Sequence, residues 1–262
     1  MPDHPYQHIQ TLLSSADAEK IHEGLELVRQ EVARSGAQAA RSLFEMVATL
    51  FHFDMFDRPD LLPVLEEAAS LVVGFGDWVI PELLRGLDEG DLKAQLAIGH
   101  ALGQVGAEAI QPLIAEYQAT ENTARRVFIL YALGKIKSPR IVEALPLALE
   151  ALNAADLELR DTATRAVGKF AECVPIFSEA ARQEMFEKLR HNLADSSPVV
   201  RAKAVRSLGK LAKFGHLVPE ERILLKTILE RLMGIDEQYA WDYAFIVRRE
   251  AEEAYQYVNS AG

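Results

Sequence analysis

The stretch from Asp195 to Gly215 constrains the fold most, because forms of it recur along the chain. It opens with the turn Asp195-Ser196-Ser197-Pro198 and continues as VVRAKAVRSLGKLAKFG. The polar turn leads into Pro198, whose fixed φ and missing N–H suit the first turn of a helix, and Ser196 or Ser197 is placed to cap it. Val200, Ala204, Ser207, Leu208 and Leu211 then recur at the spacing of one helix face. Small residues at Ala202, Ala204, Gly209 and Ala212 let a neighbouring helix come close. Asp156 to Gly168 aligns with Ser197 to Gly209 and puts Arg160 on Arg201, about 41 residues away, the length of a two-helix repeat. Asn122 to Gly134 supplies Arg126 at the arginine position, and Asp91 to Gly103 supplies Gln95 there. Towards the C-terminus Ile246 to Ala254, with Arg248, overlies Val199 to Ser207, and Gln256 takes the glycine position.

This pattern resembles the HEAT-repeat family, in which an Asp-rich turn precedes a helix reading V-R-x-x-A-x-x-A-L-G. Val200, Arg201, Ala204, Ser207, Leu208 and Gly209 carry the resemblance. It covers Asp77 onward, with clear repeats over 77–258. Periodicity alone extends it over 15–76 as divergent repeats, and 1–14 is expected to be a loose arm of the same single domain, 1–262. The resemblance implies an all-α, right-handed α-solenoid of about six stacked antiparallel helix pairs with a concave and a convex wall. Outer helices are expected near Trp78, Ala109, Arg140, Ser178 and Glu220, and inner helices near Asp91, Asn122, Asp156, Ser197 and Asp242. Pro81, Pro112 and Pro146 fall within the outer helices and are expected to bend them.

Nearer the start, Asp17 or Ser15 caps a helix carrying Ile21, Leu25, Val28 and Val32 that ends at Ser35-Gly36. A second helix runs over 37–53 and a third over 61–73, with the aromatic run from Phe51 to Phe56 read as core packing. In the family the turn acids and arginines form a ladder between successive turns. That implies a structural role for Arg126, Arg160, Arg201, Arg248, Asp156 and Asp195, since a planar guanidinium fork bridges carboxylates and carbonyls.

Charge is uneven along the chain. The balance of 28 basic and 39 acidic residues, net −11, disfavours general binding to nucleic acid or an anionic membrane. Lys188 to Lys213 nevertheless holds seven basic residues against one acid, whereas 54–91 holds ten acids against two arginines. Lys203, Arg206, Lys210 and Lys213 share one helix face and are the expected contact for an acidic partner. Trp241 and Tyr243, in an alternation with Tyr239 and Phe245, are the expected aromatic anchors; some of these rings also cover the end of the repeat stack.

Catalytic signatures are missing: the sequence has no GxGxxG, no P-loop and no nucleophile elbow. The HEAT-repeat enzyme deoxyhypusine hydroxylase uses several His-Glu dipeptides for its metals, and this chain has one, His22-Glu23. No metal and no cofactor is expected. The short repeats ending in A-L-G, as at Ala101–Gly103 and Ala132–Gly134, also resemble those of bilin lyase subunits. HEAT-like alkylpurine DNA glycosylases need a basic cleft with aromatics, which the Lys203–Lys213 stripe near the aromatic end faintly matches. The single Cys173 fits a reducing compartment, the opening residues lack an export signal, and no apolar run is long enough to span a bilayer. The expectation is therefore a cytoplasmic, non-catalytic scaffold or adaptor that binds a protein partner on its concave surface. A bilin lyase-like or chaperone-like subunit and a nucleic-acid-binding protein are the alternatives.

Overall fold

A computed structural model describes residues 6–53, 57–89, 92–235, 238 and 240–259. Among these, every regular element is a helix, and the architecture is an all-α repeat of the solenoid class. The chain divides into two compact units, Met1–Pro112 and Leu113–Gly262.

The first unit holds α1 (Gln7–Leu13), α2 (Ala18–Ser35), α3 (Ala37–Ala48), α4 (Leu62–Val73), α5 (Val79–Glu89) and α6 (Leu92–Val105). Asp17 starts α2 by accepting the N–H groups of Glu19 at 2.9 Å and Lys20 at 3.4 Å, relieving two of the donors that a helix start leaves unpaired. The chain leaves α2 at Gly36, whose φ of 66° lies in the left-handed region that glycine tolerates. Within the expected loose arm of 1–14, Gln7–Leu13 form α1 instead. Ile9, Leu12 and Leu13 recur at helical spacing and are buried, and α1 packs on α2. Gly24 makes that contact possible, since a Cβ there would lie 2.9 Å from Leu13 Cδ2. Phe51 is buried as expected, while Asp54, Met55 and Phe56 lie outside the described residues.

Helix α7 (Ile110–Ala119) begins at the end of the first unit, and the second continues with α8 (Thr123–Leu133), α9 (Leu145–Ala151), α10 (Leu157–Cys173), α11 (Glu179–His191), α12 (Pro198–Lys213), α13 (Pro219–Met233) and α14 (Phe245–Asn259). Helices α8, α10, α12 and α14 pack on one another in series, and α9, α11 and α13 pack on α10, α12 and α14 respectively. The recurring signature is thus the inner layer of the second unit. Val200, Leu208 and Leu211 are fully buried in α12, each contributing about 2 kcal/mol of apolar burial.

Two glycines set how close the inner helices come. A Cβ on Gly168 would lie 2.8 Å from Ser207 Cβ and 3.0 Å from its Cα, and one on Gly209 would lie 2.8 Å from Ala254 Cβ. Two of the polar side chains caught in these seams are satisfied. Ser207 Oγ donates to Thr164 O at 2.8 Å, and Asn192 Nδ2 donates to Thr164 Oγ1 at 3.1 Å and Leu152 O at 3.3 Å.

The prolines act differently from expectation. Pro81, Pro112 and Pro146 each stand in the first turn of α5, α7 and α9, where a missing N–H breaks no helical hydrogen bond. Short 3₁₀ segments at Gly106–Ala109 and Pro139–Ala144 precede α7 and α9, so these prolines restart a helix rather than bend a continuous one. Among the described residues, no helix is long and apolar enough to cross a membrane.

Candidate interaction surface

The arginines of the signature obey one local rule. Each donates to the carbonyl six residues before it: Arg126 Nε to Thr120 O at 2.9 Å, Arg160 Nη1 to Ala154 O at 2.8 Å, Arg201 Nη1 to Asp195 O at 2.9 Å and Arg248 Nη1 to Asp242 O at 2.7 Å. Arg160 and Arg201 then turn the rest of the fork onto the acid of the following turn. Arg160 Nε meets Asp195 Oδ2 at 2.9 Å, while Arg201 Nε and Nη2 meet Asp242 at 2.7 and 2.9 Å.

An arginine therefore bridges to the next turn, not to the acid of its own. The residue that decides a rung is the one six before the next arginine. At that place the turn ahead of α10 has Ala154, so among the described residues Arg126 gains no carboxylate, and it stacks over Tyr117 at 5.1 Å. Asp156 instead caps α10, accepting the Leu159 N–H at 2.9 Å. Burial pushes the Asp195 and Asp242 carboxyls up, but the fork hydrogen bonds from Arg160 and Arg201 and the backbone N–H groups of Ser197 and Ala244 hold both below the ordinary range.

The basic stripe of α12 lies between acids of its two neighbours. Lys203 pairs with Asp161 and Lys210 with Glu172 at 2.6 Å, both on α10, while Arg206 pairs with Glu250 of α14. Glu250 is only 3% exposed, so this carboxylate is held inside by the guanidinium. Burial lowers the Lys210 ammonium, opposed by the hydrogen bond and charge of Glu172. Lys213 is exposed and faces rings, 4.7 Å from Tyr257 and 5.7 Å from Phe214. A pocket of about 300 Å³ beside the stripe is lined by Glu172, Arg206, Lys210, Lys213, Glu250 and Tyr257, whose charges largely answer one another.

The aromatic end is different. Trp241, Tyr243 and Phe245 are 50%, 82% and 67% exposed, and Ile235 is 61% exposed. Trp241 is nevertheless held in place: its Cβ would come within 3.2 Å of a Cβ on Gly234, and the Arg248 guanidinium lies 4.6 Å from its ring. Gly234, at φ 78°, closes α13, with the Ile235 N–H returning to Glu230 O at 2.9 Å. Tyr239 lies outside the described residues. Tyr255 is engaged internally, its hydroxyl donating to Glu230 at 2.8 Å. Ile235 escaped sequence reasoning; its only signal is an apolar residue just after a helix-ending glycine, where a buried contact is the usual outcome.

His22, Glu26 and Glu67 bring three ligand-type groups together in the first unit. Arg29 occupies the same carboxylates, pairing with Glu26 and with Glu67 Oε1 at 3.0 Å, and His22 Nδ1 lies 2.8 Å from Glu67 Oε2. The cluster thus reads as an ion-pair network, with the His22 imidazole held above its ordinary range by the hydrogen bond to Glu67 and that residue's charge. Cys173 is half-buried at the end of α10, its Sγ 3.8 Å from Ile136 O, and burial pushes the thiol up, away from the reactive thiolate.

Residues 185–215 match the family described as HEAT repeat. Among solved structures, a chain of the CpcE–CpcF complex of phycocyanin lyase from Nostoc sp. PCC7120 is similar at 20% identity, over 67% of this chain and 97% of that chain, with a TM-score of 0.54. The archaeal HEAT-like repeats protein from Thermococcus onnurineus NA1 is similar at 14% identity over 98% of both chains, with a TM-score of 0.53. A chain of a Kap95p–RanGDP structure is similar at 14% identity over 95% of this chain and 35% of that chain, with a TM-score of 0.60. At these identities the likeness is one of fold. No curated protein sequence matches the chain.

Proposed function

Taking the chain as a HEAT-repeat solenoid, we propose that it is a non-catalytic scaffold or adaptor of the cytoplasm that binds a protein partner. The observation that carries this reading is the run of exposed rings, Trp241, Tyr243 and Phe245, at the entry to α14. Tryptophan and tyrosine offer large contact areas at small entropic cost, and they dominate binding energy where they are held in place beforehand. Trp241 is so held, between Gly234 and Arg248.

The inner-helix surface of α12 contributes to the same partner in a second way. Lys213 presents its charge directly, whereas Lys203, Arg206 and Lys210 engage an acidic partner by exchanging Asp161, Glu250 and Glu172 for its carboxylates. Affinity capture from native lysate tests the reading, comparing the intact chain with Trp241→Ala/Tyr243→Ala. A specific protein held by the first and lost by the second supports it. Identical captures with both move the contact away from the aromatic end.

A lyase-type subunit acting on a chromophore protein is the second reading, favoured by the fold likeness to a chain of the CpcE–CpcF complex. It requires bilin attachment to an acceptor protein in the presence of the chain, followed by absorbance of the adduct. A nucleic-acid role runs against the net charge of −11 and requires binding that weakens steeply with salt.

A further inference from the structure

We infer that Arg248 is a carboxylate receptor, and that the partner docks at the aromatic end through an acidic residue flanked by apolar side chains. This rests on the scaffold reading and gives its partner a chemistry. The two preceding rungs show what an arginine in this setting binds. Arg160 and Arg201 each spend one amino group on the carbonyl six residues back and turn Nε and Nη2 onto an aspartate. Arg248 makes the first contact, at 2.7 Å to Asp242 O, and among the described residues no carboxylate completes the second.

The helix that carries Arg248 does not invite another close-packed repeat. Arg249, Glu252 and Gln256, charged or long and polar, stand where α12 has the small or apolar Ala202, Val205 and Gly209. A Gln in place of Gly209 removes the clearance that let Ala254 approach α12. What fits the fork is therefore a loop or turn carrying a carboxylate, not a helix laid along α14. The surroundings select its flanks. Trp241 holds the guanidinium from one side at 4.6 Å, and exposed Tyr243, Phe245 and Ile235 offer apolar contact. A charge-assisted fork of this kind discriminates Asp from its isostere Asn, which retains shape but loses the charge.

The test is selection of disulfide-looped peptides with random flanks on the intact chain, in two displayed libraries whose central residue is fixed as Asp or as Asn. The expected result is enrichment from the Asp library, with apolar flanks. Changing that Asp to Asn in a selected peptide then weakens binding about tenfold or more on the intact chain and has no effect on Arg248→Gln. Arg248→Lys, which keeps the charge and loses the fork, falls between. Arg248→Gln should bind the Asn peptide as tightly as the intact chain does, a result that a fold defect in that variant cannot imitate. Equal affinity of Asp and Asn peptides, equal sensitivity on Arg248→Gln, or no enrichment from either library overturns the inference. Peptides that ignore the carboxylate yet are lost on Trp241→Ala/Tyr243→Ala leave the scaffold reading standing while this one fails.

Discussion

Helices α12 and α14 carry the same signature, Val-Arg followed by small residues, but among the described residues α12 has an inner helix on either side, α10 and α14, where α14 has one, α12. Gly209 of α12 sits under Ala254, and the matching position of α14 is Gln256. Arg201 of α12 reaches the next turn's Asp242, and among the described residues Arg248 reaches its own turn and Trp241. The signature therefore has two separable parts. The valine, the first alanine and the serine or alanine that follows build contact with the preceding helix, whereas the arginine fork and the glycine serve the following one.

That division is open to direct attack. Gly168→Ala forces a methyl against the Ser207 backbone and should cost about 3 kcal/mol, read as a shift in the urea midpoint at constant slope. Its counterpart, Gln256→Gly, puts no side chain against a neighbouring backbone and adds a helix-propensity penalty of about 1 kcal/mol, so it should cost less than Gly168→Ala. Equal losses for the two would erase the distinction between a packed and an open helix face. Next in size is Arg206→Ala, which leaves the buried Glu250 with Arg249 at 3.4 Å as its remaining cation, and it should cost about 2 kcal/mol.

The acid side of the ladder is read by pH. Burial acts to raise Glu172, Asp195, Asp242 and Glu250, but hydrogen bonds and charges from Lys210, Arg160, Arg201 and Arg206 hold all four carboxyls below their ordinary range. A folded-state pKa below the unfolded one means that the unfolded chain binds more protons as pH falls. Their contribution is thus complete above the unfolded value of about 4 and is lost as pH drops through the folded values. Asp242→Asn should be less stable at neutral pH and should lose less on acidification, in denaturant titrations from pH 7 to pH 3. A parallel pH profile in that variant would detach the ladder from acid stability. The smallest effect belongs to Trp241→Ala/Tyr243→Ala: with both rings at least half exposed, its midpoint should move by about 0.5 kcal/mol or less while partner capture is lost.

Much of the inner layer was legible because its signals are local. The capping turn, the Pro198 start and the small-residue face all lie within one repeat, and inner helices expected near Asn122, Asp156 and Ser197 begin at Thr123, Leu157 and Pro198. What was not legible spans two repeats. A window along Lys188–Lys213 counts an excess of positive charge, yet Asp161 and Glu250 lie more than 40 residues from the cations they meet. The same distance hides which acid an arginine bridges. Helix α1 escaped for another reason: seven residues make a weak periodic signal, and its burial depends on the space left by Gly24 on another helix.

Ala154 is a single missing oxygen pair with a consequence for cooperativity. In a stack whose stability is a sum over neighbours, an absent rung weakens one coupling constant and leaves the others intact. From α10 through α14 the turns are tied by Arg160 and Arg201, whereas α8 meets α10 by side-chain packing without such a tie. The amides of α8 are accordingly the place where native-state hydrogen exchange should run ahead of α10 and α12, and Ala154→Asp should slow it by closing the rung with Arg126.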